Sequence, residues 1–269
     1  MKRLAILIES SDVKGLRDLP GAREDIQNWK DYLRTKLGGS WLYSENVAAS
    51  EIVILRKPMS SDVQKLLEQN KHKYCFVAFA GHGFHDKNRG DYVCLNDYNK
   101  DCPLAFITPQ SIQGTLVVDA CRGFEDAHVV SSIQKSASHV LQNIIIANEA
   151  TEVRSLNAES VVTSFSNAFY GELNWSKYLE KCGTGIVTML SCAKGEAADD
   201  IRVNDVEVGG IYTTILMRSA QQWKKLNQYS HIYMTDEAHA YAVKYMADKF
   251  KEQHPEYSPQ GLAYPFAVK

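Results

Sequence analysis

The sequence predicts an α/β fold, a three-layer αβα sandwich built on a mostly parallel central sheet. Three observations predict it. Short apolar runs rich in β-branched residues are continuous rather than alternating, as strands covered on both faces are. Amphipathic stretches with helical spacing separate them, and strand–helix alternation implies a parallel sheet. The 269 residues, 45% of them apolar and 23% charged, are ample for one sizeable core. No composition shift, repeat or low-complexity tract marks a boundary, so residues 1–269 are read as a single domain.

The elements follow in order. Leu4–Ile8 is the first strand, and Glu9, Ser10, Ser11 and Asp12 end it. That run is shorter than the roughly 7–15 apolar residues of a secretory leader, and no run approaches the roughly 18 of a membrane span, so a cytoplasmic protein is expected. The stretch P-G-A-R-E-D-I-Q-N-W-K-D-Y-L-R-T-K-L-G-G places Ala22, Ile26, Trp29, Leu33 and Leu37 on one helical stripe and stops at Gly38-Gly39. S-S-D-V-Q-K-L-L-E-Q-N is a second helix, and Tyr74–Ala80, Thr115–Val118, Asn143–Ala147 and Gly185–Leu190 are further strands. Phe124–Leu141 reads as a flexible loop, and residues 195–210, acidic with a Gly-Gly end, as another. G-G-I-Y-T-T-I-L-M-R-S-A-Q-Q-W-K-K-L is a third helix. The fourth, T-D-E-A-H-A-Y-A-V-K-Y-M-A-D-K-F, has Thr235 or Asp236 as N-cap and Ala238, Tyr241 and Tyr245 on one face. Prolines forbid a helix in the tail, which is expected to pack back as extended chain.

Charge and cysteine usage narrow the function. A net charge of −2 argues against a nucleic-acid or anionic-membrane surface. The six cysteines (75, 94, 102, 121, 182 and 192) form no C-x-x-C pair and are read as free thiols, with Cys75 in the core and Cys94 and Cys102 flanking an acidic surface loop.

In sheets of this kind active residues lie beyond the carboxyl ends of strands. After Tyr74–Ala80 comes G-H-G-F-H-D, and after Thr115–Val118 comes D-A-C-R-G. A cysteine nucleophile needs a base within reach and donors aimed at the developing oxyanion. His82 and Cys121 hold corresponding places after two strands, and Gly81 and Gly83 leave backbone room for a substrate carbonyl. Taken singly, each motif also reads as an ordinary strand-end turn; their joint appearance favours chemistry.

The opening strand, G-A-R-E-D-I-Q-N-W-K-D-Y-L, C-F-V-A-F-A-G-H-G and V-V-D-A-C-R-G-F together resemble the caspase-like cysteine peptidases. The caspase signature is Q-A-C-[RQG]-G with a histidine about 50 residues upstream. Here Asp119 replaces the glutamine and His82 lies 39 residues before Cys121, a form more similar to metacaspases and bacterial caspase-like peptidases. T-M-L-S-C-A-K-G-E-A-A-D-D and the following G-G-I-Y-T-T-I-L resemble that group's late strand, acidic loop and helix, with Tyr212 where Phe is usual.

The resemblance implies Cys121 as nucleophile and His82 as general base, with the backbone N–H groups of Gly83 and Cys121 as oxyanion hole. It implies Asp119 at the bottom of the pocket for the residue before the scissile bond and Asp12 as a second acidic wall. A carboxylate two residues before the cysteine points to the same side of its strand, and two carboxylates in a cleft favour Arg or Lys. Cleavage of a protein or peptide substrate after a basic residue is therefore expected. Glu152 is a candidate groove residue and Lys135 a candidate self-processing site. No organic cofactor is expected. Calcium on Asp91, Asp97, Asp101 or the Asp199–Asp200 pair is the weaker alternative, and zinc on His82, His85 and Asp86 weaker still. The resemblance also implies control by a partner, a substrate or processing, and a role in bacterial defence or cell death through cleavage of a pore-forming partner. Two rivals stay open: a catalytically silent interaction module of the same fold, and a cation- or ligand-binding α/β signalling domain with an inert Cys121.

Overall fold

All eight residues of the first strand, β1 (Arg3–Ser10), are buried, as a central strand covered on both faces requires. The structure is a computed structural model that describes residues 2–96, 102–124, 174–204, 206–227 and 229–269. Helix α1 (Pro20–Arg34) follows, then β2 (Ile52–Arg56), α2 (Ser60–Gln69) and the wholly buried β3 (Tyr74–Gly81). Strands β4 (Gly83–Asp86), β5 (Gly90–Val93) and β6 (Cys102–Pro103) form a small antiparallel sheet. The chain then returns through β7 (Gln113–Asp119) and β8 (Gly185–Leu190). A hairpin of β9 (Asp200–Val203) and β10 (Val206–Gly210) leads into α3 (Ile211–Leu226). The last elements are β11 (Ile232–Met234), α4 (Thr235–Lys249), β12 (Glu256–Ser258) and β13 (Pro265–Val268).

The main sheet has the order β12-β8-β7-β3-β1-β2, with every pair parallel except β12 against β8. Side-chain alternation divides each central strand between two layers. Ala5 and Leu7 of β1 pack with Ala22, Ile26 and Trp29 of α1 and with Ile215 and Leu216 of α3. Leu4, Ile6 and Ile8 pack on the other face with Val63 and Leu67 of α2. This is the three-layer αβα sandwich that the sequence predicts.

The predicted strands and helices among the described residues are present, with three differences. Residues 195–210 hold the hairpin β9–β10 rather than a flexible loop, because Ile201 and Val208 bury their side chains in the core. The N-cap of α4 is Met234, not Thr235 or Asp236; Glu237 reaches back to accept the Met234 N–H at 2.8 Å. The buried stripe of α4 runs through Ala238, Ala242 and Met246, with Tyr241 and Tyr245 stacked beside it and only partly buried. Cys94 and Cys102 are buried, and residues 97–101 of the loop they flank lie outside the described residues. The strand expected at 143–147 and the loop expected over 125–141 lie outside the described residues.

One side chain ties the turn after β7 to the rest of the fold. Arg122 is 4% exposed. Its guanidinium donates to both oxygens of Asp91 on β5 (3.0 and 2.8 Å), to Glu256 on β12 (2.5 Å) and to the Cys192 carbonyl (2.9 Å). Its N–H donates to the Glu196 carbonyl and its carbonyl accepts from Gly195, both at 2.8 Å. The His85 ring also donates to Asp91, at 2.8 Å. Burial alone would raise the Asp91 carboxyl, but Arg122 and His85 outweigh it and hold the carboxyl below its ordinary value.

Replacing Arg122 by Ala leaves Asp91 half-buried without its cation. The expected cost is about 3 kcal/mol, the low end for breaking a buried pair, because Glu256 keeps access to water. A denaturant titration of the two proteins measures it; a shift below about 0.5 kcal/mol, the range of an ordinary surface change, would contradict the assignment. The Asp91 contribution is present above about pH 4 and fades as pH falls through the lowered pKa, so the gap between the two proteins should narrow in acid.

Candidate active site

Strands β3 and β7 are parallel neighbours in register, with Ala80 opposite Asp119. The next residues along each strand are Gly81 and Ala120, then His82 and Cys121, so the register delivers the imidazole and the thiol to the same level of one sheet edge. Contact between the two turns is direct. A Cβ on Gly83 would stand 2.8 Å from the Cys121 carbonyl oxygen and 3.0 Å from the Ala120 Cβ, so the approach requires glycine.

Both side chains keep a partly exposed surface. The Cys121 Sγ accepts from the Ala198 N–H at 3.4 Å and faces the Ala198 carbonyl at 3.8 Å, which sets the thiol against the segment entering β9. The His82 Nε2 lies 2.6 Å from the Arg17 carbonyl oxygen. A carbonyl only accepts, so Nε2 carries the ring proton and Nδ1 is the acceptor of the neutral imidazole. The backbone between β1 and α1 thus sets the tautomer that a general base needs.

Below this edge lies a cluster of carboxylates. Asp119 ends β7, and its Oδ2 accepts from the Thr213 N–H (3.2 Å) and hydroxyl (2.7 Å) in the first turn of α3. Burial raises its pKa, and hydrogen bonds from Thr213 and Ser191 pull in the opposite direction. Asp25 of α1 accepts the Gly210 N–H at 2.7 Å. A Cβ on Gly210 would come within 2.4 Å of Asp119 Oδ2 and 2.9 Å of Asp25 Oδ2, so only glycine fits between these two carboxylates. Asp200 opens β9 opposite Gly210, and its Cγ is 2.5 Å from where a Cβ on Gly21 would be. Burial, then the charges of Asp119 and Glu207, push the Asp200 pKa up to about 7, against the opposing pull of Arg202 and Arg17.

Of the residues singled out in the sequence, the structure brings together Cys121, His82, Gly83 and Asp119. It does not bring Asp12 to them: that carboxylate is half-exposed, pairs with Lys57 at 2.5 Å and is held below the usual carboxylate range by Lys57. The carboxylate that the Asp119 charge reaches is Asp200, a residue the sequence offered only as a calcium candidate. Glu152 and Lys135 lie outside the described residues, as do Asp97 and Asp101. Asp91 has both oxygens on Arg122, Asp86 accepts the N–H groups of Asn88 and Arg89 (both 2.8 Å), and the Asp199 N–H bonds Gln253. Among the described residues no three His, Cys, Asp or Glu side chains are grouped to hold a metal ion. The sequence reading missed the Arg17 carbonyl, for which no residue type gives a signal, and Asp25, a charged residue within the first helix that no local pattern set apart.

Comparison with known proteins identifies the family and supports the fold. A family model of the caspase domain matches residues 2–266. No curated protein matches the sequence. Similar solved structures include a protein of Geobacter sulfurreducens, 14% identical with a TM-score of 0.53 over 100% of this chain and 99% of that one. They also include caspase-1 from Spodoptera frugiperda, 12% identical with a TM-score of 0.51 over 100% of this chain and 92% of that one. At such identities the likeness shows the fold. The family model runs from β1 into β13, and on that match the chain belongs to the caspase-domain family of cysteine peptidases.

Proposed function

We propose that this chain is a cysteine endopeptidase that cleaves proteins after arginine or lysine. The observation that carries the reading is the meeting of His82, Gly83 and Cys121 at the ends of two register-matched strands, above the carboxylates of Asp119 and Asp200.

In this reading His82 Nδ1 takes the Cys121 thiol proton while Nε2–H stays on the Arg17 carbonyl. The thiolate attacks the scissile carbonyl carbon, and the oxygen that becomes negative is met by the N–H groups of Gly83 and Cys121. Collapse breaks the C–N bond, and the imidazolium protonates the departing amine. Water, deprotonated by His82, then attacks the thioester and releases the new carboxylate with the thiol restored. The substrate has to enter where Cys121 Sγ now rests on the Ala198 backbone, so binding displaces that contact.

Selection of the residue before the scissile bond falls to Asp119 and Asp200. Asp119 is buried and Asp200 partly buried, and like charges in such a site repel, which favours a cationic side chain that neutralises them. Asp119 is preset by Thr213, so a bound cation meets an oriented acceptor.

Fluorogenic peptides ending in Arg, Lys, Leu and Asp test the reading. Wild type is expected to cleave the basic pair and Cys121→Ala to cleave none. Asp119→Asn should lower kcat/KM on the Arg peptide by about 10- to 100-fold, the worth of one hydrogen bond to a charged group. Preferred cleavage after Leu or Asp would refute the pocket while sparing the dyad, and undiminished activity of Cys121→Ala would refute the dyad.

The pH profile carries a second test. Asp200 is protonated below its value of about 7, and a protonated pocket binds a cation poorly. KM for the Arg peptide should therefore rise as pH drops from 7.5 to 6, and Asp200→Asn should remove that limb. For stability the sign is opposite. Folded protein holds the Asp200 proton that the unfolded chain has released, so the empty protein loses stability as pH rises from about 4 to 7. An acid limb equally strong in Asp200→Asn would assign it to the dyad alone.

A further inference from the structure

The hairpin β9–β10 adds a third carboxylate to this pocket. Its strands pair antiparallel, with Glu207 opposite Arg202 and Gly210 opposite Asp200. Residues two apart on a strand share a face, and directly opposed residues do too. Asp200, Arg202 and Glu207 therefore stand on one face, while Ile201 turns into the core. Gly210, opposite Asp200, adds no side chain there.

Glu207 is held with one oxygen spent and one unspent. Its side chain is 9% exposed, and Oε1 is paired with the Arg202 guanidinium. Oε2 is buried and has no hydrogen-bond partner among the described residues. A buried carboxylate oxygen without a donor is costly, and each such group calls for an explanation. The charges that act on Asp200 are Asp119 from β7, Glu207 from β10, Arg202 from β9 and Arg17 from the segment before α1, with burial as the largest influence. Arg202 is committed to Glu207, and Asp25 across the pocket accepts from Gly210. The vacant acceptor thus faces a site where negative charge exceeds what the protein's own cations offset.

We propose that Glu207 is a specificity-determining residue, the outer arm of a pocket in which Asp119, Asp200 and Glu207 take a guanidinium in preference to an ammonium. The inference rests on the pocket reading given above. An ammonium is a compact point charge that one or two carboxylates satisfy, whereas a guanidinium spreads five N–H donors over a rigid plane and can reach separated acceptors. The Arg202 pairing leaves Oε2 as the oriented acceptor for the outer edge of that plane.

Binding of agmatine and of 1-aminopentane at pH 7.5, followed by calorimetry on the full chain, tests the proposal without requiring turnover. Wild type is expected to bind agmatine more tightly than 1-aminopentane. Glu207→Gln, close to isosteric, should weaken agmatine about tenfold and leave 1-aminopentane within about twofold, the loss of one charge-assisted contact. Glu207→Asp, which keeps the charge on a shorter arm, should recover part of the loss, and the ratio of Arg to Lys peptide cleavage should follow the same order. Unchanged agmatine binding by Glu207→Gln, or an equal loss of both amines, would overturn the role of Glu207. Asp119→Asn separates the two levels: if it weakens both amines while Glu207→Gln weakens neither, only the inference falls, and if it too leaves both unchanged, the pocket reading falls with it.

Discussion

The parallel pairing of β3 with β7 is the constraint on which the rest of this molecule depends. Both strands are fully buried, so their register is enforced along the whole length by hydrophobic faces that cannot slip by one residue without turning inside out. A one-residue shift would separate His82 from Cys121 and turn Asp119 away from α3. The placement of His82 and Cys121 is a by-product of core packing. The two residues sit where two strands run out of the sandwich, with their backbone already aligned by buried Val, Ala and Phe side chains.

Once that register holds, the surrounding turns need only local ties. Arg122 gathers β5, β12 and the segment after β8 onto the residue next to the nucleophile, and it does so with charge-assisted bonds inside the protein, where they are strong. The His82 Nε2 is held by a main-chain carbonyl. A carbonyl sets the tautomer without placing a negative charge on that nitrogen.

The pocket shows the opposite economy. Asp200 lies against Gly21, Asp25 against Gly209, and Asp119 and Asp25 against Gly210, where any side chain would collide with a carboxylate. Such an arrangement is unfavourable for folding: burial pushes the Asp119 and Asp200 carboxyls toward their neutral forms, and the Glu207 Oε2 lacks a donor among the described residues.

Much of this was legible in the residue order. The continuous runs at Leu4–Ile8, Tyr74–Ala80 and Gly185–Leu190, the stripe through Ala22, Ile26, Trp29 and Leu33, and the turns G-H-G and D-A-C-R-G are local patterns, and local patterns report strands, helices and strand ends directly. What residue order alone determined is therefore the sandwich, the strand ends at which His82 and Cys121 stand, and the family signature. Tertiary structure decided which acid stands beside which. Asp12 and Asp200 are both aspartates in polar segments, and nothing in either neighbourhood says that Lys57 claims the first while Gly21 and Gly210 make room for the second. Charge pairing acts through space between residues far apart in the chain, so its partners exist only after the register of β3 with β7 and of β9 with β10 has brought them within reach.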